Sequence, residues 1–139
     1  MSQSPKPVVL IVEDEHLIRM LAVEAFLDAE FDVLEAASAS EALLVINGGD
    51  AVDLLFTDVN MPGEMNGIDL AEHLKRIRPA LHLIITSALP VLRPVDHLPA
   101  LFVAKPYRTE DVCRAAHGLL AALYEPPSQR AGSADQSNF

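Results

Sequence analysis

Five short apolar runs punctuate the chain: VVLIV at 8–12, FDVLEA at 31–36, DLLFT at 53–57, LHLIIT at 81–86 and LFVA at 101–104. Each has the length of a strand. Helical periodicity fills the intervals. Leu17, Leu21, Ala22 and Ala25 form one predicted stripe, Leu70, Ala71, Leu74 and Ile77 a second, and Val112, Ala116, Leu119 and Leu123 a third. The stretch SASEALLVIN at 38–47 offers Ser38 and Ser40 as N-caps and is stopped by NGG, while Pro79 ends the helix before the fourth strand.

Such regular strand–helix alternation predicts an α/β fold, a doubly wound sheet of five parallel strands with helices on both faces. One interval breaks the rhythm. At 88–100, ALPVLRPVDHLPA, three prolines (Pro90, Pro94, Pro99) occupy the place of a fourth helix, so a short or distorted helix or a loop is expected there. Residues 1–6 and 126–139 are polar and aperiodic and read as tails, the second mobile, which leaves a domain at 7–125.

Composition narrows the function classes. Half of the 139 residues are apolar, enough for one core but not for a second domain. Ten Lys and Arg against 20 Asp and Glu give a formal charge of -10, which repels phosphate backbones and anionic membranes, so neither nucleic acid nor membrane is expected as a partner. The single cysteine, Cys113, has no partner for an internal disulfide, and the first apolar run is too short for a signal peptide or a membrane span. A reducing cytoplasm is the expected location.

In a doubly wound sheet the working site lies beyond the carboxyl ends of the strands. Glu13, Asp14 and Glu15 follow the first run, Asp58 the third, Thr86 and Ser87 close the fourth, and Lys105 and Pro106 follow the fifth. Carboxylates crowded together repel one another unless protonated or neutralised by a cation. Oxygen ligands of this kind select magnesium, with manganese as the alternative, and leave room for a phosphoryl group. The lysine ammonium and the serine hydroxyl supply a charge and a donor for phosphoryl oxygens, and a carboxylate can itself be the nucleophile.

The segments VLIVEDE, FTDVNMPGEMNG, IITSA and FVAKPY, in this order, resemble the receiver domain of two-component response regulators, over residues 7 to about 124. The resemblance implies a flavodoxin-like sheet of strand order 2-1-3-4-5. It implies Asp58 as phosphoacceptor, Asp14 as a direct magnesium ligand, Glu13 acting on the metal mainly through water, and Asn60 giving its backbone carbonyl. Ser87 resembles the switch hydroxyl, with the small Ala88 leaving access beside it; alternation turns Thr86, the competing hydroxyl, to the opposite face. Lys105 would pair with phosphoryl oxygens, Pro106 resembles a cis-proline, and Phe102 stands at the aromatic switch position. The implied function is that of a single-domain response regulator, phosphorylated by a sensor histidine kinase or a histidine phosphotransfer protein and acting through an unidentified downstream protein, or as a phosphate sink or relay. Self-association to a homodimer stays open.

Three features depart from the family pattern. The loop VNMPGEMNG is one residue longer than the commonest form, the span from Ser87 to Lys105 is shorter, and Leu89 is apolar where, with Asn60, it bears on phosphoryl lifetime. Plainer readings stand beside the functional ones: Asp58 as a turn former, Glu13 and Asp14 as helix caps, Phe102 as core, Cys113 as a buried filler, His16 as a surface residue, and Met61 and Met65 as packing residues. Two rival functions remain. A magnesium-dependent phosphatase working through an aspartyl phosphate would want a general acid where Asn60 stands; a receiver-like interaction module would never be phosphorylated.

Overall fold

The computed structural model describes residues 5–88, 95 and 97–121. Five strands and four helices alternate as β1 (Val8–Val12), α1 (His16–Asp28), β2 (Asp32–Ala36), α2 (Ala39–Asn47), β3 (Leu54–Asp58), α3 (Gly67–Ile77), β4 (His82–Ser87), β5 (Ala100–Ala104) and α4 (Thr109–Ala121). All strands pair in parallel, in the order β2-β1-β3-β4-β5. This is the flavodoxin-like sheet the sequence implies.

The strands form because they are apolar on both faces, and alternate residues feed two cores. Leu10, Val12, Leu55, Leu83 and Ile85 pack with α2 and α3 residues such as Ala42, Ile46, Leu70 and Leu74; Val9, Ile11, Leu54, Phe56 and Ile84 pack with Ala22 and Phe26 of α1 and Val112 and Ala116 of α4. Helix starts are fixed locally. Ser38 accepts the amide of Glu41, whose side chain accepts the amide of Ala37, and Asn66 and Asp69 close a reciprocal capping box at the head of α3.

Three expectations need correction. Leu17 and Leu21 do not face the sheet: they are 67% and 55% exposed, and α1 buries Ala22 and Phe26 instead. The helix is apolar around much of its circumference, and the side chosen is the one where Phe26 meets Phe31 and Phe56 with ring centroids 5.0 and 5.4 Å apart. Ile77 is exposed at the end of α3, beyond the reach of the core, and Ser40 lies inside α2 rather than at its start. Most of 88–100, where a short or distorted helix or a loop is expected, lies outside the described residues; just before β5, Pro99 is exposed and Leu98 is buried. Leu89, Pro90, Pro94, Leu123 and the expected tail at 126–139 lie outside the described residues.

Cys113 is buried, and burial pushes its thiol up to about 11, in keeping with a filler role. No described helix is long and apolar enough to cross a membrane.

His82, at the amino end of β4, carries a stability prediction. Its Nε2 is buried and finds no hydrogen-bond partner among the described residues, and burial, reinforced by the Lys75 charge, lowers its pKa below 6.5. A folded-state pKa below the unfolded value means that stability is full above about 6.5 and is lost as pH falls, because the unfolded chain takes up the proton first. His82→Leu is expected to flatten the fall of melting temperature between about pH 6.5 and 5. Parallel melts of the two proteins across that range check it; equal slopes would refute it.

Candidate functional site

The carboxyl ends of β1, β3, β4 and β5 meet at one rim, and the sequence-nominated side chains lie along it. Asp58, the last residue of β3, is 8% exposed, and Glu13, just past β1, is 5% exposed; Asp14 beside it is open to solvent. Carboxylate oxygens of Glu13, Asp14 and Asp58 all lie within 4.8 Å of one another. Lys105 Nζ is 3.0 Å from Asp58 Oδ2 and 3.9 Å from Glu13 Oε1. Two of the three carboxylates thus share one ammonium, and Asp14 adds a third negative group beside them.

The electrostatics reflect that shortage of positive charge. Burial pushes the Glu13 carboxyl above its ordinary value and the Asp58 charge adds to the push, against the pull of the Glu15 amide and of Lys105. The Glu15 amide donates to Glu13 Oε2 at 3.0 Å, while the other oxygen, Oε1, lies 3.9 Å from Lys105 Nζ. Hard oxygen donors, two of them buried and converging, fit a magnesium or manganese ion.

The hydroxyls and Phe102 fall less uniformly. Thr86 is 2% exposed and is the register partner of Asp58 inside the sheet, whereas Ser87 ends β4 half-buried at the rim and its carbonyl accepts the Lys105 amide at 2.9 Å. Of the two, Ser87 is the one within reach of solvent. Ala88 is exposed and borders, with Ile18, Leu21, Lys105 and Tyr107, a cavity of about 390 Å³. The Lys105–Pro106 peptide is cis. Phe102 is half-buried and packs against the core on the α2 and α3 side, as register partner of Ile85. Asn60 is exposed on the loop after Asp58, and Met61 and Met65 pack against the same core.

Three residues that matter here went unread in the sequence. Tyr107 packs edge-on against Phe56 with centroids 5.9 Å apart, and burial, aided by the charges of Glu13 and Asp58, pushes its hydroxyl up to about 12, so it is a neutral phenol at the site's edge. Gly67 lies against the Asp58 backbone: an added Cβ would stand 1.9 Å from the Asp58 carbonyl oxygen. Arg19 donates from Nη1 to the Glu13 carbonyl at 2.7 Å. Only the glycine left a trace in the sequence, as a residue of poor helix propensity opening a strongly periodic helix.

Comparison with known proteins identifies the family and the fold. Residues 9–117 match the response regulator receiver domain. The DNA-binding transcriptional regulator NtrC of Bradyrhizobium sp. is 28% identical over 139 residues, covering 97% of this chain and 28% of that protein. Sporulation initiation phosphotransferase F of Bacillus subtilis is 31% identical over 108 residues, covering 75% of this chain and 86% of its own length. A CheY-like receiver domain protein from Methanospirillum hungatei superposes with a TM-score of 0.78 at 23% identity, covering 84% of this chain and 95% of that one. The chain therefore spans under a third of the first relative and most of the second.

Proposed function

The chain belongs to the response regulator receiver domain family, and from that premise we propose that it accepts a phosphoryl group on Asp58 from a phosphohistidine, carried by a sensor histidine kinase or a histidine phosphotransfer protein. The observation that carries this reading is the contact of Lys105 with Asp58 at 3.0 Å beside two further carboxylates. An Asp58 carboxylate oxygen attacks phosphorus while the N–P bond of the donor breaks, its electron pair remaining on the imidazole nitrogen. Lys105, already on Asp58, offsets the charge of the incoming phosphoryl oxygens. Glu13, Asp14, Asp58 and the Asn60 carbonyl are the groups that would hold magnesium or manganese, which when bound supplies further positive charge to those oxygens.

The new dianion at a crowded rim biases a two-state equilibrium. Ser87 and Lys105 turn toward it, and Phe102, half-buried one strand away, takes up the released space. Output then passes by contact with a downstream protein, or the chain serves as a phosphate sink or relay; the likeness to a sporulation phosphotransferase supports the relay. The domain is a signalling module that catalyses only its own phosphorylation and dephosphorylation. A phosphatase reading finds no support at Asn60, an exposed amide with no proton of the needed acidity. The buried thiol of Cys113 suits work in a reducing cytoplasm.

Intact-mass measurement after incubation with acetyl phosphate and magnesium tests the proposal. One added phosphoryl group, removed by hydroxylamine and absent when EDTA is included, is expected. An unchanged mass with acetyl phosphate and with a panel of phosphorylated kinases would leave the unphosphorylated interaction module as the better reading.

A further inference from the structure

The loop between β1 and α1 carries two of the three site carboxylates on adjacent residues, and mutual repulsion favours their spreading apart. The structure shows what opposes it. The Glu13 amide donates to the Ala36 carbonyl at 3.1 Å, and the Glu13 carbonyl accepts Arg19 Nη1 at 2.7 Å. The guanidinium is fixed in turn: Nε donates to Glu35 Oε1 at 3.1 Å, and Nη2 lies 3.3 Å from His16 Nδ1. Glu35 and Ala36 close β2, so the end of that strand and the first turns of α1 clamp one short stretch of backbone from two sides.

Arg19 is buried more fully than its ion pair explains. Its side chain is 16% exposed while that of Glu35 is 50% exposed. Immobilising a long arginine costs more free energy than a half-exposed ion pair returns. The charged hydrogen bond to the Glu13 carbonyl supplies the rest.

We propose that Arg19 is a positioning residue for the divalent-cation site: by holding the Glu13 carbonyl it orients the peptide that joins Glu13 to Asp14, so that both carboxylates converge on Asp58. This rests on the cation-site reading given above. Charge alone makes the opposite prediction, since a guanidinium near the site opposes a cation and its loss would tighten binding. The sign of the effect therefore separates the two roles.

The experiment is a Mn²⁺ titration of the full chain, read by the loss of free Mn²⁺ in electron paramagnetic resonance, for wild type, Arg19→Met, Arg19→Lys and Glu35→Gln. Mn²⁺ affinity is expected to fall about tenfold or more in Arg19→Met. Arg19→Lys, which keeps the charge but loses the planar fork, is expected to fall nearly as far, and Glu35→Gln less. Melts in EDTA establish that each variant is folded; if Arg19→Met is not, the lysine and Glu35 variants decide. Amide resonances of Asp14 and Glu15 in the metal-free protein are expected to shift in the Arg19 variants, a readout independent of the ion. Unchanged or tighter Mn²⁺ binding in folded Arg19 variants, with wild type binding normally, overturns the positioning role alone. Wild-type protein that takes up no Mn²⁺ overturns the cation-site reading, and this inference with it.

Discussion

Asp58→Asn takes up no phosphoryl group from acetyl phosphate, a loss on the order of a thousandfold or more, because an amide has no nucleophilic carboxylate oxygen to offer. The fold is expected to survive within about 2 kcal/mol, even though removing one partner of a buried ion pair is often more damaging. Two observations temper that penalty here. Lys105 is 21% exposed at its side chain and keeps Glu13 Oε1 at 3.9 Å, and one negative charge leaves a cluster that held three. Asparagine also preserves the volume and one acceptor oxygen for the lysine. Intact mass and urea unfolding of the same preparation read both halves. Stoichiometric uptake by the variant would move the acceptor to another residue. Neither neighbouring acid is an equal candidate: Glu13 is buried with one carboxylate oxygen taken by the Glu15 amide and the other 3.9 Å from Lys105, and Asp14 is exposed without the lysine contact.

How much of this was readable in advance follows from where each interaction lives. The strands were legible because a parallel strand covered on both sides must be apolar throughout, and the first residue to break the run then marks the working rim. Asp58, Glu13 and Lys105 were found that way. The orientation of α1 was not, since HLIRMLAVEAFLD offers apolar residues on more than one side. Periodicity records which positions are apolar; the sheet chose the side where Phe26 meets Phe31 and Phe56, a choice that depends on two other elements. Leu17 and Leu21 were left outside as a result.

Within the site, the charged side chains were legible and the groups that hold the backbone were not. Arg19 reads as an ordinary helix cation, because the two oxygen acceptors that tie it to the site come from outside α1: a carbonyl of the preceding loop and a carboxylate on β2. The capping box at Asn66 and Asp69 is a local pattern and could have been read from NGID. Tyr107 passed as the residue after a cis-proline candidate; its place against Phe56 and near the acids appears only once β5 and α4 are laid beside β3.

Gly67→Ala is expected to destabilise the protein by about 3 kcal/mol or more and to depress phosphoryl uptake by at least about tenfold. The new Cβ would stand 1.9 Å from the Asp58 carbonyl oxygen, 2.8 Å from its carbon and 3.0 Å from the Val59 Cα. All three are backbone atoms, so no side chain can swing aside. Neither partner is free to retreat. The Asp58 carbonyl accepts Thr57 Oγ1 at 3.0 Å, and the Val59 amide is tied to the Thr86 carbonyl at 2.9 Å. On the other side the Gly67 amide donates to the Val59 carbonyl at 2.8 Å, the Asn66–Asp69 box fixes the first turn, and Ile68, Leu70 and Ala71 are buried. Relief therefore requires moving the end of β3, which carries Asp58 away from Lys105. Gly118→Ala is the control. Gly118 sits in α4, where an added Cβ would meet nothing within 4 Å among the described residues, so alanine there is expected to stabilise by up to about 1 kcal/mol through helix propensity alone. Urea unfolding of both variants, with phosphoryl uptake measured beside it, compares the same chemical change at two glycines. Opposite signs would assign the Gly67 effect to close approach at the acceptor, whereas a Gly67 variant as stable and as reactive as wild type would show that the loop at 59–66 gives way without cost to the site.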